Sequence, residues 1–210
     1  LDFNGEESDS LEKFAAINSY FQEGYKNPID EAILSSNKVD FSSYKKLFEI
    51  PYSFENKLLS VVVKTDSEFS NKNMMITKGA LESIIKVCDR YEKSDGSTGS
   101  LDEVKSQIFN LFDNYSSKGF RVLGLAYKNI ESTDFKNEKA ENLIFKGLLL
   151  FIDPLKDNIK DVIERMNNLG VALKMITGDN RLIAKNIGSQ IGLDPEKIMV
   201  GEELDSYSLS

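Results

Sequence analysis

Histidine is absent from the 210-residue chain, which removes imidazole acid–base chemistry, histidine-based triads and the common zinc sites together. The single cysteine, Cys88, excludes an intramolecular disulfide framework and fits a reducing compartment. It follows IIKV on an apolar helix face, where a packed core thiol is expected. Basic charge is also short: the formal net charge is −8, and no dense basic run occurs, which argues against nucleic acid as a partner. The longest apolar run, GLLLFI at 147–152, falls far below the ~18 residues a membrane helix needs. The acidic opening LDFNGEESDS has neither region of a signal peptide. A soluble globular chain without direct membrane insertion is expected. Neither GxxxxGK[ST] nor a GxGxxG after a strand occurs, so any phosphate site must be of another type. Chemistry here has to rest on carboxylates, lysine, arginine, hydroxyls and backbone amides.

What is present is a clear alternation of periods. Residues 11–23 carry Leu11, Phe14, Ala15, Ile17 and Phe21 near helical spacing, and NPIDEAIL opens a second helix with Pro28 in its first turn. KKLFEIPYSFENKLLSVVVKT reads as two β segments around a turn, followed by the polar turn TDSEFSNKN and the strand MMITKG. ALESIIKVCDRY reads as a helix with Leu81, Ile84, Ile85 and Cys88 on one face, and SDGSTGS at 94–100 as a loop. DEVKSQIFNLFDNYSSKG is a helix closed by Gly119, and FRVLGLAYKNI is a strand with bulk in both phases, hence covered on both faces. A polar segment at 131–142 then leads to FKGLLLFIDPLKDNIKDVIERMNNLGVALKMITGDN, read as strand, Asp-Pro break, amphipathic helix, second strand and a Thr-Gly-Asp turn. The fold class expected is mixed α/β and α+β. An antiparallel sheet with flanking helices occupies 1–143, and a partial parallel β-α-β segment occupies 144–210.

Several residues sit where ligands gather, at the carboxyl ends of strands. Thr177-Gly178-Asp179-Asn180 could aim backbone N–H groups and a hydroxyl at one spot, with Gly178 permitting a sharp turn; taken alone it reads more readily as an ordinary strand-to-helix turn capped by Asn180. Asp153-Pro154 is either a cation-facing carboxylate or a helix-start signal with Pro154 in the first turn. Lys78-Gly79, after MMIT, could place an ammonium on an anion while the glycine admits close approach, or be a solvated lysine before a turn. Tyr52 and Phe54 offer a stacking face for a base, or core.

The order of these elements resembles the cytoplasmic loop of P-type cation-transporting ATPases. PYSFENKLLSVVV, MMITKGALESIIKVC, GFRVLGLAY and the DPLK…TGD unit follow one another as they do there, over essentially the whole chain. INSYFQEGYKNPIDEAIL and PYSFENKLLSVVV are most similar to bacterial magnesium-transporting members. The resemblance implies that 1–143 is a nucleotide-binding (N) domain. In it Tyr52 stacks on adenine, Lys57 and Lys78 line the pocket, and Gly79 gives close approach. Arg121 would reach the phosphates or ribose, Leu123 form an apolar wall, and Asp30 meet the adenine edge where the family usually has Glu. It implies that 144–210 is part of a phosphorylation (P) domain of the haloacid-dehalogenase-like fold. There Asp153 belongs to a DPP[RK] turn with Leu155 in place of a proline, Thr177 holds a phosphoryl oxygen, and Asp179 shapes the closed geometry around ATP and Mg²⁺. No side chain of the chain itself is implied as a resident metal ligand.

The family's DKTGT, GDGxND and actuator TGE motifs do not occur in these 210 residues. The resemblance therefore implies a fragment that binds Mg-ATP without hydrolysing it, because the phosphorylated aspartate is missing. Its partners would be the rest of the P domain, the actuator domain and the transmembrane helices, at the cytoplasmic face of the membrane. Two other readings compete. One is a free-standing phosphatase of the dehalogenase fold with Asp153 as nucleophile, for which Leu155 stands where a general acid is needed and the VGEELD run lies too close to Thr177. The other is a non-catalytic interaction module.

Overall fold

A computed structural model describes residues 1–24, 27–36, 38–65, 73–131, 134–194, 197–199 and 203. The predicted TDSEFSNKN turn lies mostly outside the described residues, as does VGEELD apart from Glu203. By internal contacts the chain divides into a unit formed by Leu1–Leu111 with Val122–Leu150, and a second formed by Phe112–Arg121 with Phe151–Ser210.

The first unit begins with helix α1 (Asp9–Phe21), whose first turn is capped by the Ser8 hydroxyl accepting from the Leu11 N–H. Helix α2 (Pro28–Ser36) follows, its start capped by the Asn27 side chain accepting from the Asp30 N–H at 3.0 Å. The strands are β1 (Tyr44–Ile50), β2 (Leu58–Thr65), β3 (Asn73–Ala80), β4 (Cys88–Glu92), β5 (Thr98–Ser100), β6 (Phe120–Ile130) and β7 (Leu143–Ile152), with α3 (Leu81–Val87) between β3 and β4 and α4 (Lys105–Ser117) before β6. They form one sheet in the order β1-β2-β3-β6-β7-β4-β5. The pairs β1/β2, β2/β3, β3/β6 and β4/β5 are antiparallel, and β4/β7 is parallel.

The β-branched run Val61-Val62-Val63 is buried in both phases, as a central strand between layers should be. Lys78 opposes Leu59 on one side and Leu125 on the other, so these share a face with Ile76 and Val61; α1 packs on that face through Asn18 and Ser19. The opposite face carries Leu58, Gly79 and Gly124, and α3 packs there, with Ile84 against Gly124. In β6, Val122 and Ala126 in one phase and Leu125 in the other are all buried, as its two-sided bulk predicts.

Some local expectations are corrected by tertiary pairing. Cys88 does not extend α3; it opens β4, where the ladder Cys88↔Leu143, Arg90↔Ile144, Tyr91↔Phe145 outweighs a brief helical spacing. The 94–100 loop likewise ends in β5, which pairs with β4. β7, expected to open the parallel β-α-β segment, joins the first unit's sheet, and Leu143–Leu149 are all buried there.

The second unit contains α5 (Ile159–Asn168) and α6 (Arg181–Gln190), with Ile163, Ile183 and Ala184 buried. Asn186 of α6 donates to Ser117 O at 2.9 Å. Pro154 is not in the first turn of α5, which begins only at Ile159 after the left-handed Asn158. Residues 171–176, predicted as the second parallel strand, carry no strand. A strand exists only against a neighbour that takes its N–H and C=O groups, and no described residue supplies one. Val171 and Met175 remain exposed, and Ile176 is 97% exposed.

Candidate functional site

The first unit holds a charged pair inside its core. Lys78 lies near the end of β3 with 6% of its surface exposed, and Asp30, in the first turn of α2, has 4%. The Lys78 ammonium donates to Asp30 Oδ1 and to Ser19 Oγ, the latter at 2.8 Å. Gln22, at the end of α1, donates from Nε2 to Asp30 Oδ2 at 2.9 Å. Asn18, fully buried, donates to Ile76 O at 2.9 Å, which ties α1 to β3 and leaves its own Oδ1 without a partner. Burial pulls the Lys78 ammonium below its ordinary pKa, and the Asp30 carboxylate opposes that pull. Such a pair is costly to desolvate and does not by itself explain stability.

The β1–β2 loop reaches the same end of β3, at Gly79 and Ala80. Lys57 N donates to Ser53 O at 2.7 Å and Ser53 N to Leu58 O at 3.3 Å, so the loop is closed on itself. Lys57 adopts φ 54°, a left-handed backbone that costs a non-glycine residue about 1–2 kcal/mol. Its carbonyl accepts from Ala80 N at 3.1 Å, which fastens the loop to the end of β3. Gly79 owes its identity to this approach: a Cβ there would stand 2.2 Å from Lys57 O. The close approach foreseen for a ligand is thus one between neighbouring strands. Tyr52 is 49% exposed and Phe54 88%, with ring centroids 5.4 Å apart edge to face. Neither is core. Leu123, half-buried in β6, opposes Ala80.

Register therefore brings Lys57, Lys78, Gly79 and Leu123 to one end of three adjacent strands, with Asp30 bound to Lys78. Tyr52 also belongs to the first unit, whereas Arg121, Asp153, Thr177, Gly178 and Asp179 belong to the second. Arg121 pairs with Asp179 Oδ1, a largely exposed contact worth about 0–1 kcal/mol. Thr177 Oγ1 donates to Asp179 Oδ2 at 3.1 Å and accepts from Asp179 N at 3.0 Å, and Asn180 caps α6 by accepting from Leu182 N at 2.7 Å. Gly178 has no neighbour within 4 Å and no left-handed φ, so the turn does not require glycine. Asp153 is exposed.

On the face of the first unit's sheet opposite Lys78 lies a cleft of about 640 Å³, edged by Glu49, Glu55, Lys86 and Lys136; none of the sequence-predicted residues lines it. The Cys88 thiol is raised well above its ordinary value by burial, which leaves it an unreactive packing group. Sequence reading passed over Asn18, Ser19 and Gln22. Their signal was available: polar residues continuing a helix face whose preceding residues Leu11, Ala15 and Ala16 are buried.

Residues 13–158 match the family described as P-type ATPase, cytoplasmic domain N. The chain is 29% identical to the magnesium-transporting ATPase, P-type 1, of Escherichia coli K12, over 99% of this chain and 24% of that protein. The Salmonella typhimurium LT2 protein of the same name is 29% identical, over 99% of this chain and 23% of its own. Calcium-transporting ATPase 1 of Saccharomyces cerevisiae is 33% identical, over 87% of this chain and 20% of that protein. The chain thus spans less than a quarter of each of these relatives. Among the described residues no helix is long and apolar enough to cross a membrane. With 13–158 covering more than half of the chain, it belongs to the P-type ATPases, as their cytoplasmic nucleotide-binding domain N.

Proposed function

We propose that residues 1–143 bind Mg-ATP for a cation pump, probed through the loop of Tyr52 and the Lys78–Asp30 pair, and that 144–210 are part of its phosphorylation domain. Tyr52 stacks on the base. Lys57 and Lys78 supply positive charge, Leu123 an apolar wall, and Arg121 a contact to phosphate or ribose. Mg²⁺ enters with the triphosphate. The γ-phosphate is presented to an aspartate that these 210 residues do not contain, with Thr177 and Asp179 serving the transfer and Asp153 its supporting turn. The apolar Val171, Met175 and Ile176 are then covered by the remainder of the phosphorylation domain, and the domain works at the cytoplasmic face of the membrane beside actuator and transmembrane segments.

Magnesium is the transported ion we favour. The bacterial magnesium-transporting relatives align over 99% of the chain, against 87% for the yeast calcium ATPase.

The observation that carries the reading is the exposed Tyr52 on a loop fastened to the end of β3, the strand that carries the Asp30-paired Lys78. Rings left in water on a loop closed by its own backbone hydrogen bonds are available to stack. Titration with Mg-ATP followed by NMR tests it. Binding on the order of 0.1–10 mM is expected, with shifts centred on Tyr52, Lys57, Lys78 and Arg121. Tyr52→Ala should weaken binding by about tenfold, the worth of one base–aromatic stack, while leaving the fold intact. No response at concentrations on the order of 10 mM removes the reading in favour of a module that binds no nucleotide.

A further inference from the structure

A cleft of about 640 Å³ lies on the face of the first unit's sheet opposite Lys78, and the nucleotide reading leaves it unused. Its volume is in the range of small-molecule sites, about 300–1,000 Å³, and every residue lining it belongs to the first unit. One part of the lining is apolar: Leu58 is buried, and Phe48, Ile50, Val87 and Ala140 are only half-buried. The hydroxyls of Ser53 and Ser60 in the same lining are already engaged. The first accepts from Asn56 N at 3.3 Å, and the second shares a hydrogen bond with Thr77 Oγ1 at 2.8 Å. The rest of the lining is mostly charged. Glu49 is paired with Lys46, and Glu138 with Lys128 at 3.0 Å. That leaves the exposed ammonium groups of Lys86, Lys136 and Lys139, which pair with no carboxylate among the described residues, against Glu55 and Glu141. The unpaired excess is positive, in a chain whose net charge is −8.

We infer that this cleft binds a small amphipathic anion, an apolar body carrying a carboxylate or phosphate group. The body lies against Phe48, Ile50 and Val87, and the anionic head meets Lys86, Lys136 and Lys139 at the rim. Half-buried apolar side chains gain by being covered, whereas a head held among exposed lysines keeps most of its water. A neutral ligand leaves the ammonium excess unanswered, and a cationic one meets it with like charge. An extended peptide fits less well. β1 is an edge strand of the sheet, but the Phe135–Asn137 turn packs beside it and obstructs a further strand there. The inference does not depend on the nucleotide-binding reading.

Decanoate below its micelle concentration is the probe, titrated into the full 210-residue chain and followed by NMR. Saturable shifts are expected at Leu58, Val87 and Ala140. Decanoate should bind at least about fivefold more tightly than decanol or decyltrimethylammonium, the scale of an exposed charge contact. Lys136→Gln combined with Lys139→Gln removes exposed ammonium groups without touching the apolar wall. The fold should hold in that double variant while decanoate binding falls by about fivefold or more. Equal binding of the three amphiphiles overturns the inference, as does an unchanged affinity in the double variant. Shifts confined to the exposed Val171 and Ile176, or no response to decanoate at all, overturn it too. Vesicles then separate the sources of such an anion. Cosedimentation with phosphatidylglycerol but not phosphatidylcholine vesicles, lost in the double variant, assigns it to a lipid headgroup. Decanoate binding without cosedimentation assigns it to a free amphiphile, and either result supports the site.

Discussion

Residue by residue, the buried Lys78–Asp30 pair decides how the site can be probed. Removing the lysine leaves a carboxylate with 4% exposure and no counter-charge, so Lys78→Ala should cost about 3–5 kcal/mol in urea unfolding. Tyr52→Ala, at 49% exposure, should stay within about 0.5 kcal/mol. A nucleotide-binding loss in the lysine variant therefore mixes folding with recognition, and Tyr52 is the cleaner probe. A second buried network lies in the same unit: Tyr127 donates to Glu92, which also pairs with Lys146, and the Lys146 ammonium sits 5.1 Å from the Phe14 ring centroid. Burial, and then the hydrogen bond to Glu92, raise the Tyr127 phenol above its ordinary value. The folded state holds that proton more tightly than the unfolded one, so its contribution is complete below about pH 10 and is lost as pH rises beyond. Thermal unfolding of Tyr127→Phe should fall less steeply above about pH 10 than that of the unmodified chain; equal slopes would assign the alkaline loss elsewhere.

Among the elements, glycines that look alike in sequence do different things. Gly79→Ala would drive a methyl into Lys57 O, at 2.2 Å, and into Leu58. Backbone cannot give way as a side chain can, so a loss of about 1–3 kcal/mol or more is expected. Gly178→Ala meets nothing within 4 Å and should stay within about 0.5 kcal/mol. Denaturant midpoints measured on both variants check the contrast, and a large loss at Gly178 would mean that the turn is built differently. Both glycines follow an apolar stretch and precede a helix, and nothing local tells them apart. The strands β1, β2, β3 and β6 were legible because alternation and β-branching persist over the length of each. β4 was not, since CDRYE is polar and becomes a strand only against β7 and β5. Residues 171–176 were misread for the converse reason: an apolar run announces burial, and no described neighbour here provides it.

For the molecule as a whole, the expected chemistry is binding without turnover. The chain lacks the family's DKTGT motif, and positioning charge around a triphosphate does not replace the nucleophile that must accept it. Phosphate release from ATP by the purified chain should stay at the level of buffer, and a steady rate that persists in Lys78→Ala would refute the assignment. The sequence by itself determined the family, because KGA, DPLK and TGD at their order along the chain are chemical constraints carried by residue identity. It also determined the helices and long strands, whose periods repeat often enough to be read locally. Only the tertiary structure decided that β7 belongs to the first unit's sheet, that Gly79 answers to Lys57, and that Asp30 is occupied by Lys78 and Gln22. Each of these depends on which distant segment lies alongside. Hydrogen bonds and burial are settled by that neighbour, and the local pattern does not name it.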